Sequence, residues 1–147
     1  MGEDGGKTKT LTWDQAQEKI RKRYEHTETI VFDFGDGDHV EFVVRGLTPT
    51  QYDRFEKHVS KMIEKRQLDA KKYRNINFRN QMKEDDNDEV VTYAANYFIA
   101  HGVVEAPDGF KADETTISEL PPILKSTLAD TIDGLTNLGI EVKDGFR

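Results

Sequence analysis

The hydrophobic positions of this chain follow two periods. Ile30, Phe32 and Phe34 alternate with polar neighbours, and Val40, Phe42 and Val44 do the same after Gly35-Asp36-Gly37-Asp38. That alternation predicts a hairpin of strands 30–34 and 40–44, each with one apolar face. Asp36-Gly37 suits a type I′ connection, which needs positive φ at both central residues. The period then changes. Tyr52, Phe55, Val59, Met62 and Ile63 recur at spacings of three and four, one stripe of a helix entered through Thr48-Pro49-Thr50-Gln51. Thr48 is placed to cap the free amides, Pro49 suits the first helical position, and Gln51 completes a capping box. An isolated hairpin is marginal in water, so its apolar face is expected to lie on this helix.

The same grammar places three more helices. Thr12 and Gln15 form a capping box behind Leu11, and Trp13, Ala16, Ile20 and Tyr24 share a face. Arg21, Lys22 and Arg23 fall in the last turn, where the helix dipole favours cations. Residues 25–29 read as a link to the hairpin. A helix from Asn87 or Asp88 carries Val90, Val91, Ala94, Ala95, Tyr97, Phe98 and Ile99, which makes it the most apolar and most buried. Gly102 is its stop signal. Residues 103–105 are extended, 106–109 a turn and 110–119 a polar loop. Pro121-Pro122 opens the last helix at Pro122. Leu124, Leu128, Ile132, Leu135 and Leu138 form its stripe, and Gly139 ends it. The expected fold is α+β, predominantly α-helical, with an N-terminal helix, one β-hairpin, then three helices packed around it. Residues 1–10 read as a disordered tail, 11–139 as a single domain and 140–147 as a C-terminal tail. Within the domain, 69–89 is polar and expected to be mobile, and 74–89 reads as a polar connector or a helix extension ordered only against a partner.

Composition narrows the chemistry. Charged residues make up 33% of 147 positions and hydrophobic ones 35%, so the core must be small. There is no cysteine, which excludes disulfides, zinc-thiolate sites and thiol catalysis. No apolar run approaches a membrane span, and the acidic, glycine-rich start is unlike a signal peptide, so the expected location is the cytoplasm. The net charge of -7 is segregated: 1–53 carries -4, 54–83 carries +7 and 84–147 carries -10. The blocks can neutralise one another within one chain or between copies, so self-association is compatible with the sequence. Tyr73 and Phe78 interleave the basic block, but Glu56, Glu64 and Asp69 interrupt it, which disfavours nucleic acid. Asp33, Asp36, Asp38 and His39 lack the spacing of a calcium loop, and turn geometry accounts for them. His26, His39, His58 and His101 are not paired at ligand spacing. No nucleophile elbow, phosphate loop or dinucleotide fingerprint is present, and no carboxylate has an apolar setting for acid work. The sequence argues against an enzyme and needs no metal or cofactor.

The apolar stripes point instead to a partner. With so small a core, Ile63, Leu68, Ile76 and Phe78 lack evident intramolecular neighbours, and exposed apolar helix faces mark protein-binding grooves. The candidate contact residues are Tyr52, Phe55, Val59, Met62, Ile63, Leu124, Leu128, Ile132 and Leu135. Lys61, Lys65, Arg66, Lys71, Lys72 and Arg74 are the candidate electrostatic face.

The order of parts adds a resemblance over residues 30–139. A hairpin leads into Arg45-Gly46-Leu47-Thr48-Pro49-Thr50-Gln51-Tyr52 and a charged helix. An apolar helix runs into Ile99-Ala100-His101-Gly102-Val103-Val104-Glu105-Ala106-Pro107. Leu120-Pro121-Pro122 opens a final helix with Leu135-Thr136-Asn137-Leu138. This arrangement resembles the tail assembly chaperones of tailed phages and phage-derived tail particles. The resemblance implies a protein of the host cytoplasm that coats the aggregation-prone tape-measure protein. It also implies recruitment of tail tube subunits, which displace the chaperone. A structural tail or connector subunit kept in the virion is the first alternative. A nucleic-acid-binding module working through 54–83 is the second.

Overall fold

The computed structural model describes residues 9–74, 76–84 and 88–137. The expectations for the tail before Lys9, for Asn87, Leu138 and Gly139, and for residues 140–147 lie outside these. Helix α1 (Trp13–Glu25) precedes strands β1 (Thr27–Asp33) and β2 (His39–Arg45), then α2 (Pro49–Arg66). A 3-10 turn (Ala70–Tyr73) leads to α3 (Phe78–Glu84) and α4 (Glu89–Gly102), followed by β3 (Val103–Glu105), α5 (Glu114–Ser118) and α6 (Pro122–Thr136). The fold is predominantly helical α+β, as the two hydrophobic periods require.

The hairpin forms, with corrected details. Strand β1 begins at Thr27, so most of the expected link is sheet: Thr27 pairs with Arg45 and Asp33 with His39. The turn is wider than type I′. Phe34 N–H donates to the Asp38 carbonyl, and positive φ falls on Gly35 and Gly37, while Asp36 between them stays outside that region. The Asp33 and Asp36 carboxylates accept from the Gly35 and Asp38 amides at 2.7 and 3.1 Å. Those aspartates serve the turn's own backbone. Phe42 and Val44 are buried, whereas Phe34 at the strand end is 57% exposed.

The sheet does not rest on α2. Strand β2 is central in the order β1-β2-β3, and its principal helical neighbour is α6. Two backbone features cause this. Gly46, just past β2, meets the end of α6 so closely that a Cβ there would lie 2.5 Å from the Leu135 carbonyl carbon. The next amide, Leu47, donates to Thr136 Oγ1 at 2.9 Å. The β2–α2 junction is thereby fastened to α6. From there α2 runs away with both halves of its capping box in place.

Helix α4 is the axis of the core. Its buried residues are Val90, Val91, Ala94, Ala95, Phe98, Ile99 and Gly102, which cover more than one face because α2, α3, α5 and α6 all pack on it. Small residues allow the approach. A Cβ on Gly102 would lie 2.6 Å from Ile132 side-chain atoms, so this glycine makes room for α6. It is the last helical residue with ordinary φ, and the chain turns extended at Val103. Phe98 receives Phe55 of α2 edge-on at 4.9 Å and Phe78 of α3 at 5.6 Å.

Two polar stretches fold against the chain itself. In 69–89, Asn77 accepts from the Asn80 amide at 3.0 Å and its own amide donates to Gln81. The Asp130 carboxylate of α6 accepts from the Phe78 and Arg79 amides at 2.8 and 3.2 Å. Helix α3 is held in this way without a second protein, and Phe78 is only 1% exposed. In 110–119, Asp113 caps the short helix α5, which buries Ile117 completely.

The two tight glycines should respond differently to substitution. Gly46→Ala meets immovable backbone and is expected to cost about 3 kcal/mol. Gly102→Ala meets a side chain that can rotate and is expected to cost about 1–2 kcal/mol. Equilibrium urea denaturation measures both, and equal losses would show that the α6 terminus yields.

Candidate functional site

The residues expected to contact a partner are placed unevenly. Phe55, Val59, Leu124, Leu128 and Ile132 are core residues, none more than 8% exposed. They serve the intramolecular core, because α2 and α6 both turn their stripes onto α4. Tyr52, Met62, Ile63 and Leu135 are half-buried at its margin. Ile76 also packs on the core, and Leu68 is 37% exposed.

The electrostatic face is partly neutralised. Arg66 pairs with Glu89, and Lys72 Nζ lies 2.9 Å from Asp88 Oδ2. Tyr73 also donates to Asp88 Oδ2, at 2.9 Å, while Asp88 Oδ1 accepts from the Val90 and Val91 amides. Burial alone would raise the Asp88 carboxyl. The bonds from Lys72, Tyr73 and the Val91 amide together outweigh it and hold the group below its ordinary value of 3.8. The hydrogen bond to Asp88 in turn raises Lys72. The basic and acidic blocks are thus stitched within one chain. Lys61, Lys65, Lys71 and Arg74 remain exposed.

The open apolar surface lies elsewhere, along α1. This helix is correctly started by Thr12 and Gln15, yet it buries no residue. Trp13 is 67% exposed, and Leu11 and Ile20 are each 37% exposed. Among the described elements it packs chiefly on α6. Trp13, Ile20 and Tyr24 form one wall of a cleft of about 920 Å³, and Arg45, Gly46, Thr48 and Pro49 form the other. The second wall is rigid, because Gly46 and Leu47 are held on α6. The signal in the sequence was the narrowness of the α1 stripe: four apolar positions in thirteen suit one-sided contact, not a core helix.

Three of the described histidines sit beside aromatic or acidic neighbours. His58 stacks on Tyr93 at 4.4 Å, and His101 lies tilted against Tyr97 at 4.3 Å. His39 faces Glu41 at 3.2 Å. No group of three or more described His, Asp or Glu side chains has the arrangement of a metal site. One carboxylate departs from expectation. Asp133 on α6 is raised to about 6, first by burial and then by neighbouring Asp130, against an opposing bond from Asn137. Its apolar setting comes from packing and is invisible in the α6 sequence.

Two titrations separate these groups. Asp88 binds its proton less readily when folded, so its contribution is present above about pH 4 and lost as pH falls below that. Asp88→Ala removes a cap and a charged bond and is expected to cost about 2–3 kcal/mol at pH 7, with Asp88→Asn intermediate. Asp133 is the reverse. Its folded form holds the proton up to about pH 6, so its penalty grows as pH rises from 4 to 6 and is full above. Asp133→Asn should stabilise by about 1–2 kcal/mol at pH 7 and by little at pH 4. Thermal melts across pH 4–7 check both signs. No described helix is long and apolar enough to cross a membrane. No family model matches the chain, and no curated protein or solved structure is detectably similar to it.

Proposed function

We propose that this protein is a non-enzymatic assembly chaperone that covers an amphipathic helix of a partner, the tape-measure protein of a phage-type tail. The observation that carries the reading is α1: a capped helix without a buried residue, whose Trp13 and Ile20 border an open cleft that Asp14, Glu18, Arg21 and Glu25 also line. Trp and Ile left uncovered on a small protein mark a contact surface. The opposite wall at Arg45–Pro49 is preformed, so a partner helix would order one side of its site and not both. The acidic exterior keeps such a complex soluble. The order of hairpin, charged helix, apolar helix and Leu-Pro-Pro helix, which resembles that of tail assembly chaperones, supports the choice of the tape-measure protein as partner. Recruitment of tube subunits and residence in the host cytoplasm belong to the same proposal. The nucleic-acid reading loses ground because Arg66 and Lys72 already pair with Glu89 and Asp88.

Co-expression tests it. The tape-measure protein should stay soluble with the wild-type chain and precipitate without it. Trp13→Ala combined with Ile20→Glu should lower co-purification about tenfold while leaving the melting temperature within about 2 °C, since neither residue is in the core. A tape measure equally soluble alone sinks the chaperone reading. Full binding by the double variant moves the contact off α1.

A further inference from the structure

Asp88 and Lys125 are the buried charged residues among those described. Asp88 is bonded from several sides. Lys125, on α6, is 9% exposed, and among the described residues its side-chain amine has neither an ion pair nor a hydrogen bond. Among the described residues, Glu114 acts on it from beyond bonding distance. Burial pushes its amine below the ordinary lysine value, with Glu114 opposing. Its stem is packed in the protein while its ammonium keeps access to solvent, so the charge reaches the cavity unpaired by the described side chains.

The side chain borders a cavity of about 510 Å³, ample for a small organic group. Arg79 is a second cation on the same cavity. Its guanidinium donates to Thr127 Oγ1 at 3.2 Å, which leaves further N–H groups to offer. Met82, Leu120 and Ile123 supply apolar lining, and Ile123 is 59% exposed. None of the described lining residues is acidic. The Ser126 hydroxyl also lines it and donates to the Ile123 carbonyl at 3.2 Å. Two cations over an apolar wall, with no carboxylate among the described lining residues, favour an anion that carries an apolar body.

We propose that this cavity binds a carboxylate borne on an apolar group, with Lys125 as its charge partner, Arg79 as a second donor, and Met82, Leu120 and Ile123 around the apolar part. Such a carboxylate comes from a free medium-chain acid or from the C-terminus of a protein ending in an apolar residue. The site is separate from the α1 cleft and stands whether or not that cleft holds a helix.

The test is a titration of the full chain, followed by amide NMR, with octanoate, octanol, N-acetyl-leucyl-leucine and the amide of that dipeptide. The acids should bind saturably at the α3–α6 cavity, and octanol and the dipeptide amide about tenfold more weakly or not at all. Tighter octanoate assigns a free acid as the natural class, and a tighter dipeptide assigns a chain terminus. Lys125→Met should weaken the acids about tenfold or more and Arg79→Gln less. In the wild type, binding should raise the pKa of Lys125, followed through its Cε resonance, which does not depend on any variant folding. Equal binding of octanol and octanoate, unchanged affinity in Lys125→Met, or a Lys125 titration unmoved by octanoate overturns the proposal.

Discussion

The structure depends on how closely α6 can approach the rest of the backbone. In its C-terminal half Ile132 fills the space that a side chain on Gly102 would take, and the last turn presses on Gly46. Two residues before Ile132, Asp130 accepts the leading amides of α3. One helix thereby fixes the sheet, the central helix and the segment that joins α2 to α4. Dispersion falls off steeply with distance, so contacts this close cannot be loosened gradually; they hold or they separate. The half-buried Asp133 sits on the same helix and is raised because this packing removes water from it.

Much of this was legible along the chain. The capping boxes at Thr12 and Thr48, the start of α4 at Asp88 and the proline entry to α6 are local chemistry, and local chemistry is what sequence displays. What depends on distant partners was not. The asparagines of 74–80 suggested a connector, but Asn77 caps a helix whose remaining acceptor, Asp130, comes from 52 residues away at Phe78. The hairpin was expected on α2, its neighbour in sequence, and lies on α6 because Gly46 admits that helix and no pattern announces which helix a glycine will meet.

The candidate site divides in the same way. The stripes of α2 and α6 belong to the core, packed on α4. Helix α1, equally one-sided but poorer in apolar residues, remained for the surface. The charge blocks follow the same logic: their segregation along the chain is undone in space where Arg66 meets Glu89 and Lys72 meets Asp88.

Helix α1 has a thermodynamic consequence of its own. A helix of thirteen residues without buried side chains draws little from tertiary packing, and isolated helices of that length are marginal in water. Its local opening is therefore governed by its capping box and end charges, nearly independent of global unfolding. An occupant of the cleft would bear the ordering cost of α1 as part of its own binding free energy. Mutations that raise or lower helix propensity on the outward side of α1 would then tune affinity without touching the contact.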